Sequence, residues 1–287
     1  MEKPEVKLIE CPRDAMQGIH AFIPTDVKVR YLNGLLRVGF DTIDIGSFVS
    51  PKAIPQMADT AEVLARIDLE GVRSKLLVIV ANERGAEEAV KQERVHYLGY
   101  PFSISETFQQ RNTNTSIDGS WERIARIAEI TARGGRELVV YISMAFGNPY
   151  GDPWGPGIAL HWIERLVNEL GVRTIALSDT VGVARPEDIS SMFGALIPAL
   201  PHVEFGAHLH ARTDNWKPKA DAAWAAGCRR FDGALKGYGG CPMANDDLVG
   251  NLAMELFVAD LERRGVRTGI DMTLLQRSLQ EVATVFP

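Results

Sequence analysis

The sequence predicts an α/β protein, a (β/α)8 TIM barrel with a C-terminal helical extension. Short apolar runs alternate with longer amphipathic segments along nearly all of the 287 residues. Repeated strand-and-helix units of this kind make a parallel sheet, and eight of them close into a barrel. The length also suits this fold, which typically takes about 250 residues. Because no Ser-, Gly- or Pro-rich linker divides the chain, we expect one domain over residues 1–287.

The predicted strands are short and strongly apolar. They cover residues 6–11, 42–45, 75–80, 94–98, 137–144, 173–177, 203–208 and 229–232. The third is apolar after its first residue, which is typical of a strand buried on both faces, and the fourth has the weakest pattern. An open doubly wound sheet is the structural alternative, but the G-x-G-x-x-G sequence that would favour it does not follow the first strand.

Helices are predicted where apolar residues recur every three or four positions. The first follows Thr25, a plausible N-cap, and carries Val27, Leu32 and Leu36 on one face. Gly171 ends a later helix, as glycine does at the C′ position. The predicted helices cover residues 26–38, 58–67, 86–92, 117–133, 157–170, 186–200, 216–226, 245–263 and 272–285.

Composition excludes several classes of protein. With 31 basic and 37 acidic residues the formal net charge is −6, which argues against nucleic acid as a partner. Cys11, Cys228 and Cys241 are too few for a disulfide framework and indicate a reducing compartment. The sequence shows neither a leader peptide nor an apolar run of the ~18–20 residues that a membrane helix needs. We therefore expect a cytoplasmic protein with no membrane partner.

Polar and reactive side chains concentrate where the predicted strands end. A barrel places its active site at the C-terminal ends of its strands, so this pattern predicts a site there. The side chains concerned are Arg13, Asp14, Asp44, Asn82, Ser103, Ser105, Glu106, Asn148, Asp179, His208, His210 and Lys236.

The sharpest local signal is His208-Leu209-His210. In a strand, residues i and i+2 face the same side, so the two imidazoles can bind one metal ion. Asp14 offers a carboxylate and Asn251 an amide oxygen. This mixed set of N and O donors predicts Mg²⁺ or Mn²⁺, with Co²⁺ and Zn²⁺ as alternatives. The competing interpretation is a pair of ordinary polar residues at a strand end.

Arg13 and Cys241 are candidate catalytic residues. A guanidinium fixed at the barrel mouth can stabilise an enolate or a carboxylate, although Arg13 next to Asp14 also fits a surface salt pair. Cys241 lies between two glycines and a proline, which predicts a flexible loop over the mouth, where a thiol can donate a proton. We interpret Cys11 and Cys228 as small buried hydrophobic residues.

Two aspartates are candidates for positioning roles. Asp179 can orient a substrate hydroxyl or a histidine ligand, and Asp44 can do the same or cap the following loop. Two other kinds of function compete with metal catalysis. A Schiff-base aldolase needs a buried lysine at a strand end, for which Lys236 is the only candidate. A non-catalytic metal-binding barrel would take up metal without turnover.

Taken together, these residues resemble the hydroxymethylglutaryl-CoA lyase family, a branch of the metal-dependent barrel lyases. The resemblance covers most of the chain and rests on motifs that occur in the family's order. They are PRDAMQ at 12–17, SFVSPKAIPQM at 47–57, SDTVGV at 178–183, HLH at 208–210, and GGCP at 239–242 followed by GNLA at 250–253.

The resemblance implies a retro-Claisen-type cleavage of 3-hydroxy-3-methylglutaryl-CoA to acetyl-CoA and acetoacetate. It implies that Asp14, Asn251 and the two histidines of the HLH motif hold the metal. A base, Asp14 or a histidine, takes the proton of the substrate hydroxyl. Arg13 stabilises the thioester enolate and Cys241 protonates it. The domain as a whole is then a pyruvate-carboxyltransferase-like barrel.

The resemblance also implies a CoA thioester as substrate. Arg13, Gln17, Ser50 and Lys52 are the expected contacts to the CoA-bearing substrate. By the same analogy we expect a homodimer and a role in leucine degradation and ketone-body formation.

Three departures from the family pattern leave the acyl group open. Ala211 stands where the family has Asp, Asp44 stands where Glu is usual, and Cys241 and Asn251 are one residue further apart. Citramalyl-CoA or a longer branched 3-hydroxy-acyl-CoA is an alternative substrate. A related Claisen-condensing synthase is an alternative enzyme.

Overall fold

The computed structural model describes residues 5–240 and 249–286 and confirms the predicted barrel. Eight strands pair in sequence order, all parallel, and β1 pairs with β8 to close the sheet. The strands are β1 (Lys7–Glu10), β2 (Thr42–Ser47), β3 (Lys75–Ile79), β4 (Tyr97–Ser103), β5 (Glu137–Ser143), β6 (Thr174–Asp179), β7 (Glu204–Leu209) and β8 (Arg230–Gly233).

Helices surround this barrel. They are α1 (Pro12–Gln17), α2 (Thr25–Val38), α3 (Thr60–Arg66), α4 (Glu83–Val90), α5 (Glu106–Thr113), α6 (Ile117–Arg133), α7 (Pro156–Leu170), α8 (Pro186–Ala199), α9 (Trp216–Ala225), α10 (Met254–Arg263) and α11 (Met272–Val285). Short 3₁₀ turns cover Pro55–Met57 and Leu235–Gly237. In the described part of the chain, none of these helices has the length and apolar character needed to cross a membrane.

The predicted C-terminal extension is confirmed as α10 and α11. Helix α11 packs against α2, and beyond its end the ring of Phe286 meets that of Tyr31 edge-on at 6.1 Å. The helix begins at a strong N-cap, because the Asp271 side chain accepts hydrogen bonds from the amides of Thr273 and Leu274.

The fourth strand is longer than predicted and lies further along the chain, at Tyr97–Ser103. Gly99 and Pro101 disfavour a strand by propensity, but tertiary packing overrides them. A Cβ at Gly99 would come 2.6 Å from Ile79 Cδ1, so the glycine makes room inside the barrel. On the outer side Tyr100 Oη lies 2.9 Å from Ser120 Oγ of α6.

Several predicted helix starts are wrong; α4, for example, begins at Glu83 and not at residue 86. Thr25 is the first residue of α2 and not its N-cap, and its hydroxyl bonds Asp59 Oδ2 at 2.8 Å. The helix predicted over 245–263 begins at Met254 within the described residues. Asn251 is instead extended and bridges to His210, which brings the segment before α10 to the barrel mouth.

Glu10 on β1 is buried, and only one of its carboxylate oxygens has a hydrogen-bond partner. Oε1 accepts the Leu235 amide at 2.9 Å, whereas Oε2 has no partner among the described residues. Burial raises the pKa of Glu10 well above its usual value. The folded chain therefore holds a proton there that the unfolded chain loses as the pH rises above about 4.3.

We expect Glu10→Gln to stabilise the protein more at pH 8 than at pH 5. The amide keeps the acceptor for the Leu235 N–H and has no charge to bury. In the native protein, stability falls as the pH rises from the unfolded pKa towards the raised folded pKa, and the substitution removes that fall. Urea unfolding of both proteins at the two pH values measures the effect, and an equal increment at pH 5 and pH 8 would contradict it.

Candidate active site

The predicted metal ligands come together at the C-terminal end of the barrel. Donor atoms of Asp14, His208 and His210 all lie within 4.8 Å of one another, and the three residues are buried. Asp14 is carried by α1, directly after β1, while His208 lies on β7 and His210 directly after it, on the same face, as their spacing predicted. The two imidazole centroids are 5.2 Å apart.

His210 has one nitrogen fixed by the protein and the other free to bind. Its Nδ1 lies 2.9 Å from the carbonyl oxygen of Thr180, so this nitrogen carries the proton. Nε2 is buried and has no hydrogen-bond partner among the described residues. Burial lowers the pKa of His210 to about 4, with a further contribution from His208. The ring is therefore neutral near pH 7, with a lone pair facing the cluster.

His208 is held differently, by a carboxylate. Its Nδ1 lies 3.4 Å from Asp232 Oδ2 on β8. Burial alone would lower the pKa of His208, but the bond to Asp232 and its charge outweigh burial and raise the pKa.

For Asp14, burial acts to raise the pKa, yet the Arg13 guanidinium and the two imidazoles bring it down to about 2. Asp14 is thus ionised at neutral pH.

Asn251 completes the cluster. Its Nδ2 donates to Asp14 Oδ2 at 2.7 Å and to the Tyr238 carbonyl at 2.8 Å. A Cβ at Gly239 would lie 2.7 Å from this nitrogen, so only glycine lets the loop approach so closely. A carboxylate, two imidazoles and an amide side chain form an N/O set that suits a divalent cation. The unpartnered Nε2 of His210 is the atom that such an ion would satisfy.

Arg13 is locked beside the cluster and is not a surface residue. Its Nε and Nη2 donate to Asp44 Oδ2 at 2.9 and 2.6 Å, and Nη1 donates to Asp14 Oδ1 at 3.1 Å and Gln17 Oε1 at 2.7 Å. Burial acts to lower the pKa of Arg13, but the Asp44 and Asp14 charges raise it overall. Of the five N–H groups of a guanidinium, one on Nη2 has no partner among the described residues.

A cavity of about 430 Å³ opens above these residues. The strand order divides its wall into two arcs. The polar arc follows β6, β7 and β1 and contains Ser178, Thr180, His208, His210, Arg13, Asp14 and Gln17. The apolar arc follows β2 to β5 and contains Val49, Ala53, Ile54, Ile79, Ala81, Pro101, Phe108 and Tyr141. Asn112, Thr113 and Ser143 are the polar residues on that second side.

The structure does not bring Asp179 to the cavity. Ser178 on β6 and Thr180 directly after the strand line the cavity, so Asp179 faces the outside of the barrel. Its Oδ2 lies 2.7 Å from Lys219 Nζ, which also donates to the His210 carbonyl at 2.9 Å. The expected contact to a substrate hydroxyl is therefore wrong, and any influence of Asp179 on His210 passes through Lys219.

Three other predicted residues lie apart from the cluster. Ser50 and Lys52 are exposed, on a loop whose neighbours Val49 and Ala53 line the cavity. Lys236, the Schiff-base candidate, is exposed and does not line it. Cys241 lies outside the described residues.

Both remaining cysteines are buried, as predicted. Sequence reasoning missed Asp232 as the partner of His208. The two residues pair in register between β7 and β8, and no local sequence pattern reveals such a cross-strand pairing.

Comparisons with known proteins agree with this geometry. The HMGL-like family model matches residues 6–282. Mitochondrial hydroxymethylglutaryl-CoA lyase of Mus musculus is 33% identical over 275 residues, covering 94% of this chain and 82% of the relative. A 3-hydroxy-3-isohexenylglutaryl-CoA/hydroxy-methylglutaryl-CoA lyase of Pseudomonas aeruginosa is 32% identical over 286 residues, covering 98% and 93%.

A solved structure agrees as well. An HMG-CoA lyase from Acinetobacter baumannii, in complex with coenzyme A and 3-methylmalate, superposes with a TM-score of 0.89 at 29% identity, covering 98% of this chain and 90% of that one. The chain therefore belongs to the HMGL-like family and is a carbon–carbon lyase of the hydroxymethylglutaryl-CoA lyase type.

Proposed function

We propose that the protein cleaves 3-hydroxy-3-methylglutaryl-CoA to acetyl-CoA and acetoacetate, with a divalent cation held by Asp14, His208, His210 and Asn251. The observation that carries the proposal is the buried Nε2 of His210, which has no hydrogen-bond partner among residues 5–240 and 249–286 and faces an ionised Asp14 beside Arg13. We propose Mg²⁺ or Mn²⁺, because the donor set includes hard oxygens. When bound, the ion would polarise substrate oxygens and lower the pKa of the tertiary hydroxyl.

The protein's own residues supply the proton transfers and the charge stabilisation. Asp14 can take the hydroxyl proton at a carboxylate oxygen, whereas a His208 ring that donates from Nδ1 to Asp232 and holds the ion through Nε2 has no free lone pair. The bond between C2 and C3 then breaks, the carbon at C3 becomes a ketone, and the electron pair passes to C2 as a thioester enolate. Arg13 stabilises that enolate through its fixed charge and remaining N–H. Cys241 returns a proton to C2, a role that rests on the GGCP motif.

The CoA portion belongs at the open side of the cavity. The A. baumannii relative is known in complex with coenzyme A, which supports a CoA thioester as substrate here. Gln17 lines the cavity, and the loop that carries Ser50 and Lys52 borders it, which supports them as contacts to the CoA-bearing substrate. We also propose that the enzyme is a cytoplasmic homodimer that acts in leucine degradation and ketone-body formation.

An assay of several 3-hydroxy-acyl-CoA thioesters, with and without EDTA, tests this function. We expect cleavage of 3-hydroxy-3-methylglutaryl-CoA that EDTA abolishes and added Mg²⁺ or Mn²⁺ restores. Cys241→Ala should lower the rate, whereas Cys228→Ala, a buried cysteine outside the cavity, should leave it unchanged. Activity that resists EDTA, or that is equal in Cys241→Ala, would refute the mechanism. If citramalyl-CoA were cleaved faster than 3-hydroxy-3-methylglutaryl-CoA, citramalyl-CoA would be the preferred substrate.

A further inference from the structure

A chain of charged side chains runs inside the barrel beneath His208, and it is half-buried at Lys7 and Glu204 and fully buried at Arg230 and Asp232. Arg230, at the start of β8, lies with Nε 3.5 Å from Glu204 Oε1 and Nη1 2.8 Å from Asp232 Oδ1. Asp232 Oδ2 in turn lies 3.4 Å from His208 Nδ1. Glu204 is also paired with Lys7 on β1. The chain links the N-terminal ends of the strands to the His208 ring at their C-terminal ends.

The barrel is shaped to hold the guanidinium of Arg230. A Cβ at Gly206 on β7 would lie 2.8 Å from Arg230 Nη1 and 3.2 Å from its Cδ, so a side chain at this position would displace the arginine. Arg230 is 3% exposed and Asp232 1% exposed. Burying an arginine and an aspartate this deeply is costly unless they are paired, and here each is the partner of the other.

We propose that Asp232, held by Arg230, is a positioning residue that fixes the ring of His208 with its Nε2 turned towards Asp14 and His210. The inference rests on the proposed metal-dependent function. A carboxylate that accepts the Nδ1 proton selects the neutral tautomer whose lone pair lies on Nε2, and it fixes the ring's orientation. Arg230 supplies the counter-charge that lets Asp232 stay ionised in the barrel interior.

The two histidines differ in the group that accepts the hydrogen bond from Nδ1. His210 donates to a neutral backbone carbonyl, which no side-chain substitution removes. His208 donates to a carboxylate, which makes the imidazole a more basic ligand. The Tyr141 ring packs against the His208 ring in a T-shaped contact, with centroids 5.6 Å apart, and limits its rotation from a second side. The affinity for metal should therefore depend on Asp232 although Asp232 is not itself a ligand of the proposed site.

Mn²⁺ binding to the purified protein, followed by the EPR signal of the free ion, tests the inference. We expect Asp232→Asn to weaken Mn²⁺ affinity by about 10- to 100-fold. Asp260→Asn is the matched control, because Asp260 is also buried and ion-paired but lies on the outer helix α10. Its Mn²⁺ affinity should equal that of the unmodified protein. Equal affinity in Asp232→Asn would overturn the inference.

A double-mutant cycle separates positioning from general destabilisation. Arg230→Lys keeps the charge but not the paired geometry, and we expect it to weaken Mn²⁺ binding alone yet add little in the Asp232→Asn background. Additive losses would mean two independent structural effects and would contradict the inference. If the Asp232→Asn protein does not fold, Arg230→Lys alone tests the inference. Unchanged Mn²⁺ affinity in Arg230→Lys would then refute the proposed support of His208 by Asp232 and Arg230. Failure of the unmodified protein to bind Mn²⁺ would instead refute the proposed function.

Discussion

Replacing His210 with alanine should lower kcat/KM roughly a thousandfold, because it removes one of the ligands of the proposed ion. This factor corresponds to a loss of about 4 kcal/mol of transition-state stabilisation. His210 Nε2 has no hydrogen-bond partner in the described part of the chain, so its lone pair is available to the ion. Steady-state cleavage of 3-hydroxy-3-methylglutaryl-CoA at saturating Mg²⁺ measures the effect, and Mn²⁺ binding should weaken in parallel.

The matched control for this variant is His202→Ala. His202 is exposed and precedes β7, at the end of the barrel opposite the cavity. It should keep both activity and Mn²⁺ affinity. A His210→Ala protein that folds and retains more than a tenth of its activity would exclude His210 as a metal ligand.

Arg13→Lys should lower kcat by about 10²- to 10³-fold, the usual cost of losing one donor to a developing oxyanion. A lysine keeps the positive charge but cannot contact Asp44, Asp14 and Gln17 with the planar fork of the guanidinium. Because the enolate charge develops only in the transition state, we expect kcat to fall much more than KM changes. Steady-state kinetics with the same substrate separates the two constants.

Arg66→Lys is the control for the arginine substitution. Arg66 on α3 also contacts two carboxylates, those of Asp26 and Glu62, but it is exposed on the outside of the barrel. Its replacement should leave kcat unchanged. If Arg13→Lys raised KM alone, Arg13 would serve ground-state binding of the thioester and not enolate stabilisation.

The residues that could be predicted from sequence are those whose placement follows from local geometry. The spacing of His208 and His210 determines that both face one side of a strand. The same rule of alternation places Asp179 away from the cavity. Ser178 on β6 and Thr180 directly after it line the cavity, so the residue between them faces the other way.

What could not be predicted depends on contacts between distant segments. The support of His208 by Asp232 requires the register between β7 and β8, which no short-range pattern encodes. The full extent of the fourth strand could not be predicted, because Gly99 and Pro101 disfavour strands in isolation, whereas inside the barrel Ile79 leaves room only for a glycine at position 99. The extended conformation at Asn251 could not be predicted either, because its bridge to His210 spans 41 positions of sequence.

The division of the cavity wall into two arcs makes the chemistry and the choice of acyl group separable. Among the described residues, all side chains assigned to proton transfer or charge stabilisation lie on the polar arc. The opposite wall contributes surface area and little polarity. Changes of size at Ala53, Ala81 or Pro101 could therefore alter which acyl chains fit while the reacting groups keep their positions. Substitutions on the apolar arc can thus change the substrate preference of such an enzyme, in evolution or by design, while the polar arc stays the same.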